Sequence, residues 1–208
     1  MIAIVDYGVG NLFSLKRSFA AIGENAEVTS DKAVIASADK IILPGVGAFS
    51  DAAKKLEESG LGELIKDLAA KGKIIMGICL GMQLLFDKSY EYGETEGLSL
   101  IGGAVKPLSG FIPNDLKIPH MGWNALRFKK DHPLFKYINE GDCVYFVHSF
   151  FAADCDESVI ATAEYGADIT AAVADKNVLG CQFHPEKSGK VGLNILKAFC
   201  ELKEGSLC

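Results

Sequence analysis

The chain has 208 residues, 49% of them hydrophobic, with a formal net charge of −6 and a pI near 5.3. That length and apolar content suffice for one well-formed core, so a single domain over residues 1–208 is expected. The acidic balance argues against a nucleic-acid or acidic-membrane surface, which needs clustered Lys and Arg.

The start, Met1-Ile-Ala-Ile-Val-Asp6, has neither the basic residues nor the long apolar stretch of a secretory signal and reads as a first strand. It opens an alternation of short β-branched runs and longer helical patterns, the signature of crossover units around a mainly parallel sheet. Strands are predicted at Ile2–Val5, Ala26–Thr29, Lys40–Leu43 and Lys73–Ile78, and helices over Asn11–Ile22 and Phe49–Lys71, with Asn11 as a cap. Farther on, Asp142–Phe151, Ser158–Glu164, Thr170–Ala174 and Val178–Phe183 resemble strands separated by short polar turns, so the sheet becomes partly antiparallel there. Val191–Leu202 is amphipathic and predicts a closing helix packed on one sheet face. The expected architecture is α/β and doubly wound, mostly parallel with an antiparallel extension. No apolar run approaches the roughly 18 residues of a membrane span. The six cysteines lack the CxxC spacing of zinc or redox sites, so free thiols in a reducing cytosol are expected, with no metal and no cofactor.

Gly77-Ile-Cys79-Leu-Gly81 stands between an apolar strand and a helical pattern, which makes it a nucleophile elbow with Cys in place of Ser. Gly77 and Gly81 would let strand and helix approach without a clashing Cβ, and a helix start at Cys79 would favour a thiolate. The elbow needs a base. Of the four histidines, His184 stands just past an apolar strand in Gln182-Phe-His-Pro-Glu186. In extended backbone, residues two apart share a side, so Glu186 can accept the ring N–H of His184 and hold its tautomer. His148 is expected to shape a pocket, and His132 to mark a turn leading into a helix. Pro44-Gly-Val-Gly47 follows a strand at the same sheet edge, so the oxyanion hole is assigned to the Leu80 N–H with one from Val46 or Gly47. Asp6-Tyr-Gly-Val-Gly-Asn-Leu-Phe13 partly matches a dinucleotide fingerprint, but Phe13 replaces the third Gly, and nucleotide binding is rejected.

With these residues in view the chain resembles the class I, triad-type glutamine amidotransferases over its whole length, a flavodoxin-like fold. Within that group it closely resembles the glutaminase subunits of imidazole glycerol phosphate synthases. The motifs are Asp6-Tyr-Gly-Val-Gly-Asn-Leu12, Pro44-Gly-Val-Gly-Ala-Phe49, Gly77-Ile-Cys-Leu-Gly-Met-Gln-Leu-Leu85, Pro119-His-Met-Gly-Trp-Asn124, Val147-His-Ser149 and Gln182-Phe-His-Pro-Glu-Lys-Ser-Gly189. The resemblance implies that Cys79 attacks the glutamine side-chain amide to give a glutamyl thioester and ammonia, with His184 moving the protons. It implies that Gly47, Gln83, Ser149 and Phe150 hold the glutamine. Many members carry Tyr after His-Ser, where this chain has Phe150, leaving a backbone contact there. The implied partner is a (β/α)8-barrel cyclase subunit, forming a cytoplasmic heterodimer in histidine biosynthesis. It receives the ammonia and makes imidazole glycerol phosphate and an aminoimidazole carboxamide ribonucleotide. His120, Trp123, Asn124, Tyr145 and Lys187 are the interface candidates. Without the partner, glutaminase activity is expected to be weak. A glutaminase subunit for another pathway and an inert flavodoxin-like module are the rival readings.

Overall fold

The computed structural model describes residues 1–203; Cys208, counted among the six cysteines, lies outside the described residues. The first half runs β1 (Ile2–Val5), α1 (Leu12–Ala21), β2 (Ala26–Thr29), α2 (Lys32–Ser37), β3 (Lys40–Leu43), α3 (Phe49–Ser59), α4 (Leu61–Ala70), β4 (Ile74–Ile78) and α5 (Leu80–Gln83). It continues through β5 (Phe86–Ser89), β6 (Thr95–Glu96), β7 (Ile101–Pro107) and β8 (His120–Phe128). Then come β9 (Cys143–His148), β10 (Phe150–Ala153), β11 (Val159–Glu164), β12 (Asp168–Asp175), β13 (Val178–Cys181) and α6 (Gly189–Glu201). Among the described residues, no helix is long and apolar enough to cross a membrane.

The main sheet has the order β2-β1-β3-β4-β13-β12-β11-β8-β9. Its first five strands are parallel, and every pairing from β13 to β9 is antiparallel. This is the doubly wound sheet with an antiparallel extension expected from the sequence. The inner parallel strands β1, β4 and β13 are buried along their whole length because both faces are covered. Ile2, Ile4, Ile42, Ile74, Met76 and Ile78 pack with Leu15 and Phe19 of α1 and Ile195, Leu196 and Phe199 of α6. The alternate residues Ala3, Val5, Ile41, Leu43 and Ile75 pack with Phe49, Leu56, Leu61 and Ile65 of α3 and α4.

Several boundaries differ from the sequence reading. The helix predicted over 49–71 is two helices, because Gly60 takes a left-handed conformation (φ 64°) that closes α3 and opens α4. Asn11 occupies the cap position of α1, but its side chain makes no capping hydrogen bond. The strand predicted over 142–151 divides at Ser149, with β9 in the main sheet and β10 pairing with β7 in a second sheet of order β10-β7-β5-β6. That second sheet, together with β8 and α2, was not predicted. Helix α2 does carry a readable start: Asp31 accepts from the backbone N–H of Ala33 at 2.7 Å and Val34 at 3.3 Å.

The elbow glycines are required by close approach. A Cβ on Gly77 would lie 2.5 Å from the Gly81 carbonyl oxygen, and one on Gly81 would lie 1.9 Å from that of Leu43. Since backbone sits on both sides, a Gly81→Ala variant is expected to lose on the order of 3 kcal/mol of stability. Urea denaturation followed by far-UV circular dichroism measures it, and an unchanged midpoint would show that β3 and α5 can part without penalty.

Candidate active site

The parallel strands β3, β4 and β13 end at one edge of the sheet, where loops from separate crossovers meet. Cys79 forms the turn between β4 and α5 at φ 55°, ψ −113°, a conformation that L residues avoid and that projects the thiol out of the sheet edge. Its backbone N–H donates to the Cys181 carbonyl at 2.8 Å, which fixes the turn to β13. The helix that follows spans only Leu80–Gln83. A macrodipole of one turn is small, so the charge of a thiolate at Cys79 must be met mainly by neighbouring side chains.

His184 follows β13 and is held from three directions. Its N–H donates to the Tyr145 carbonyl at 2.9 Å, and its carbonyl accepts from the Ser188 hydroxyl at 2.7 Å. That hydroxyl oxygen accepts in turn from the Tyr145 N–H at 2.9 Å. The ring Nδ1 lies 2.8 Å from Glu186 Oε1, with the two side chains 3% and 1% exposed. A carboxylate only accepts, so Nδ1 carries the proton there and Nε2 is left for Cys79, with which the ring also hydrogen-bonds. Burial works against charge on His184, but hydrogen bonding to Cys79 and Glu186 and the charges of both outweigh it, raising the imidazolium to about 9. The Glu186 Oε2 atom is buried without a hydrogen-bond partner.

A cavity of about 350 Å³ opens over these groups, lined by Cys79 and His184, by Val46, Gly47, Leu80 and Gln83, and by Glu91, Pro119, Val147, His148, Ser149, Phe150 and Lys187. Thus the expected nucleophile, base, oxyanion residues and glutamine contacts share one cavity, while Glu186 stands behind His184. Tyr7 fixes the Pro44–Gly47 loop by donating to the Pro44 carbonyl at 2.6 Å. Burial, with the charge of Cys79, pushes the Tyr7 phenol well up, so it remains a neutral donor. Gly10 of the neighbouring turn packs against the same loop, since a Cβ there would lie 3.1 Å from Pro44 Cβ. Phe13 itself is 71% exposed, so the steric ground on which nucleotide binding was rejected does not apply in the fold.

His148 donates through Nδ1 to the Phe150 carbonyl at 2.8 Å and its Nε2 lies 3.0 Å from His120 Nδ1. Burial pushes it down to about 3, so it is a neutral wall of the cavity. His120, expected at the surface, is fully buried and stacked between Phe146 and Tyr165, with Nε2 2.8 Å from Asn124 Oδ1. The other interface candidates do reach the surface. Trp123 is 55% exposed and edge-on to Tyr145, whose ring lies beneath the Lys187 ammonium, and Met121 and Ile118 are exposed beside them. His132 sits at a turn, accepting from the Leu134 N–H through Nδ1 at 3.1 Å.

Two residues in the site were missed by sequence reasoning. Glu91 arrives from the unpredicted second sheet region and had no signal. Gln182 had one, because it precedes His184 by two positions and therefore shares its side. Its Nε2 lies 3.6 Å from Cys79 Sγ. Among the described residues, no group of three or more His, Cys, Asp or Glu side chains is arranged to hold a metal ion.

Residues 3–202 match the family described as glutamine amidotransferase class-I. The imidazole glycerol phosphate synthase subunit HisH of Caldanaerobacter subterraneus subsp. tengcongensis is 50% identical, with 97% of this chain and 98% of that protein aligned. The protein of the same description from Methanosarcina acetivorans is 49% identical over 97% of this chain and 98% of its own length. Among solved structures, PurLQS from Thermotoga maritima superposes with a TM-score of 0.74 at 21% identity, covering 96% of each chain, which speaks for the fold alone.

Proposed function

The chain belongs to the class I glutamine amidotransferase family, and we propose that it is the glutaminase subunit of an imidazole glycerol phosphate synthase, working through Cys79, His184 and Glu186. The observation that carries this reading is the placement of His184 between the buried Glu186 carboxylate, 2.8 Å away, and Cys79 at the wall of the cavity. The near-full-length likeness to proteins described as HisH supports the pathway.

The steps follow from the groups present. The Cys79 thiolate attacks the side-chain amide carbon of glutamine, and the oxyanion is met by the N–H of Leu80 and one from Val46 or Gly47. The His184 imidazolium gives its proton to the leaving nitrogen, the C–N bond breaks, and ammonia departs from a glutamyl thioester. Neutral His184 then takes a proton from water, whose oxygen attacks the thioester carbon; the C–S bond breaks and glutamate leaves.

Both N–H groups of Gln83 are engaged, one with the Phe150 carbonyl at 2.9 Å and one with Gln182 Oε1 at 3.0 Å. Gln83 therefore meets glutamine through its oxygen. The Phe150 carbonyl already accepts from Gln83 and His148, so a backbone contact there runs through the Phe150 N–H. Glu91, a carboxylate on the cavity wall, fits the substrate ammonium.

The exposed Trp123, Met121 and Ile118 beside the cavity mouth suit the docking of a cyclase subunit, since aromatic residues anchor protein interfaces. Such docking would keep ammonia from water, where it would be protonated. The test is glutamate release by the purified chain alone, with the cognate cyclase subunit, and with that subunit and its nucleotide ligand. Release chiefly in the full mixture is the expected result. Release indifferent to the cyclase subunit would keep the hydrolase and remove the pathway.

A further inference from the structure

We propose that Gln182 is a built-in hydrogen-bond donor to the Cys79 sulfur, its direction set by the Phe150 carbonyl acting through Gln83. The inference rests on the reading of Cys79 as the nucleophile. Carboxamide oxygen and nitrogen are commonly interchangeable on geometry alone, and only their partners decide which is which. Here the deciding partner is a backbone carbonyl, which can only accept. Gln83 must turn its nitrogen toward Phe150 O, 2.9 Å away, and that nitrogen's second N–H reaches Gln182 at 3.0 Å. Gln182 must therefore turn its oxygen to Gln83, which leaves its nitrogen on the sulfur at 3.6 Å. Reversing either amide would set two acceptors against each other at the Phe150 carbonyl or two donors at the link between the glutamines.

The arrangement cannot relax toward water. Gln182 is fully buried at the end of β13, and its backbone N–H is tied to the Ala171 carbonyl at 2.9 Å. A buried amide N–H with no acceptor is costly, so the sulfur is its partner. An N–H bond to a thiolate is charge-assisted, whereas a thioester sulfur is a weak acceptor. Gln182 therefore favours the states in which sulfur holds the negative charge: the free enzyme before attack, and the end of hydrolysis, when the C–S bond breaks and its electron pair returns to sulfur. His184 stabilises the same charge through a proton that must leave during the cycle. Gln182 contributes a dipole that stays.

The test follows carboxamidomethylation of the full native chain by iodoacetamide across pH, with peptide mapping to give separate rates for Cys79 and the exposed Cys143. Gln182→Met removes the donor at similar length, and Gln182→Glu replaces it with an acceptor. Against wild type, Gln182→Met should move the Cys79 profile about one unit to higher pH and slow labelling near neutrality about ten-fold, with Cys143 unchanged. Gln182→Glu should move it further. A folded Gln182→Met chain with the wild-type Cys79 profile overturns the proposal. If that variant does not fold, the side-chain N–H resonances of Gln182 in the 15N-labelled wild-type chain decide, since they should shift on alkylation of Cys79 and their constancy would overturn it. Should wild-type Cys79 label no faster than Cys143, the nucleophile reading fails and this inference falls with it.

Discussion

Replacing Cys79 with alanine should abolish glutamine-dependent glutamate release in the full complex, a fall on the order of 10⁴-fold or more, because covalent attack has no substitute in the cavity. The variant should fold. Alanine keeps the backbone held by the Cys181 carbonyl and by the elbow glycines, but it takes the acceptor from the buried Gln182 N–H, so the thermal midpoint should fall modestly while the fold is kept. The synthase reaction supplied with ammonium salt should proceed at the wild-type rate, since that route bypasses the thioester. Loss of both glutamine- and ammonia-supported turnover would mean that the substitution harmed the assembly, and retained glutamine hydrolysis would remove Cys79 from its role.

Glu186→Gln is the second large effect, and it has a pH signature. The carboxylate accepts the Nδ1 proton of His184 at 2.8 Å. A carboxamide is isosteric there but neutral, and it can present its nitrogen to the ring and impose the wrong tautomer. The analogous loss in serine proteases costs about 10⁴ in kcat, so a fall of about 10²- to 10⁴-fold is expected here. His184 is opposed by burial and raised to about 9 by Cys79 and Glu186, so it holds its proton at neutrality and loses it as pH rises through about 9. Wild-type kcat/KM should therefore decline on the alkaline side near that pH, and in Glu186→Gln the decline should begin at lower pH. The same shift has a stability consequence. The raised His184 value contributes stability that is fully present below its ordinary value of 6.5 and is lost as pH rises through about 9. Thermal midpoints measured between pH 6 and 10 should fall more steeply for wild type than for the variant.

The parallel half of the fold was legible in the sequence because its inner strands are covered on both faces and write apolar runs, while the edge strand Ala26–Thr29 carries alternation and β-branched residues. Ile2–Val5, Ala26–Thr29 and Lys40–Leu43 have the same bounds in the fold as in the reading. The second sheet was not legible. Its strands are short and partly exposed, and β6 has only two residues, so neither periodicity nor length distinguishes them from loop. In the site, Cys79, His184 and Glu186 stood out because each belongs to a motif with a mechanical reason. His120 was misplaced because a histidine between Pro119 and Trp123 looks superficial, and its burial between Phe146 and Tyr165 depends on long-range packing of β8, β9 and the turn after β11. Gln182 lay within a recognised motif yet drew no role, because a neutral amide gains importance only once its donor and acceptor ends can be told apart.

The histidine pair carries a further arithmetic. From the Phe150 carbonyl through His148, His120 and Asn124 to the Glu164 carbonyl there are four links, of 2.8, 3.0, 2.8 and 3.0 Å. Both ends can only accept. Each neutral imidazole brings one N–H, and the carboxamide donates on one side while accepting on the other, so three hydrogens serve four links whichever way Asn124 is turned. With burial holding both rings toward neutrality and His148 Nδ1 serving the Phe150 carbonyl, one link is always short of a hydrogen, and the shortage can sit between the rings or at either side of Asn124. The row of groups is thus a frustrated one-dimensional lattice with a mobile vacancy, and a single donor offered to Asn124 from outside would change where that vacancy rests.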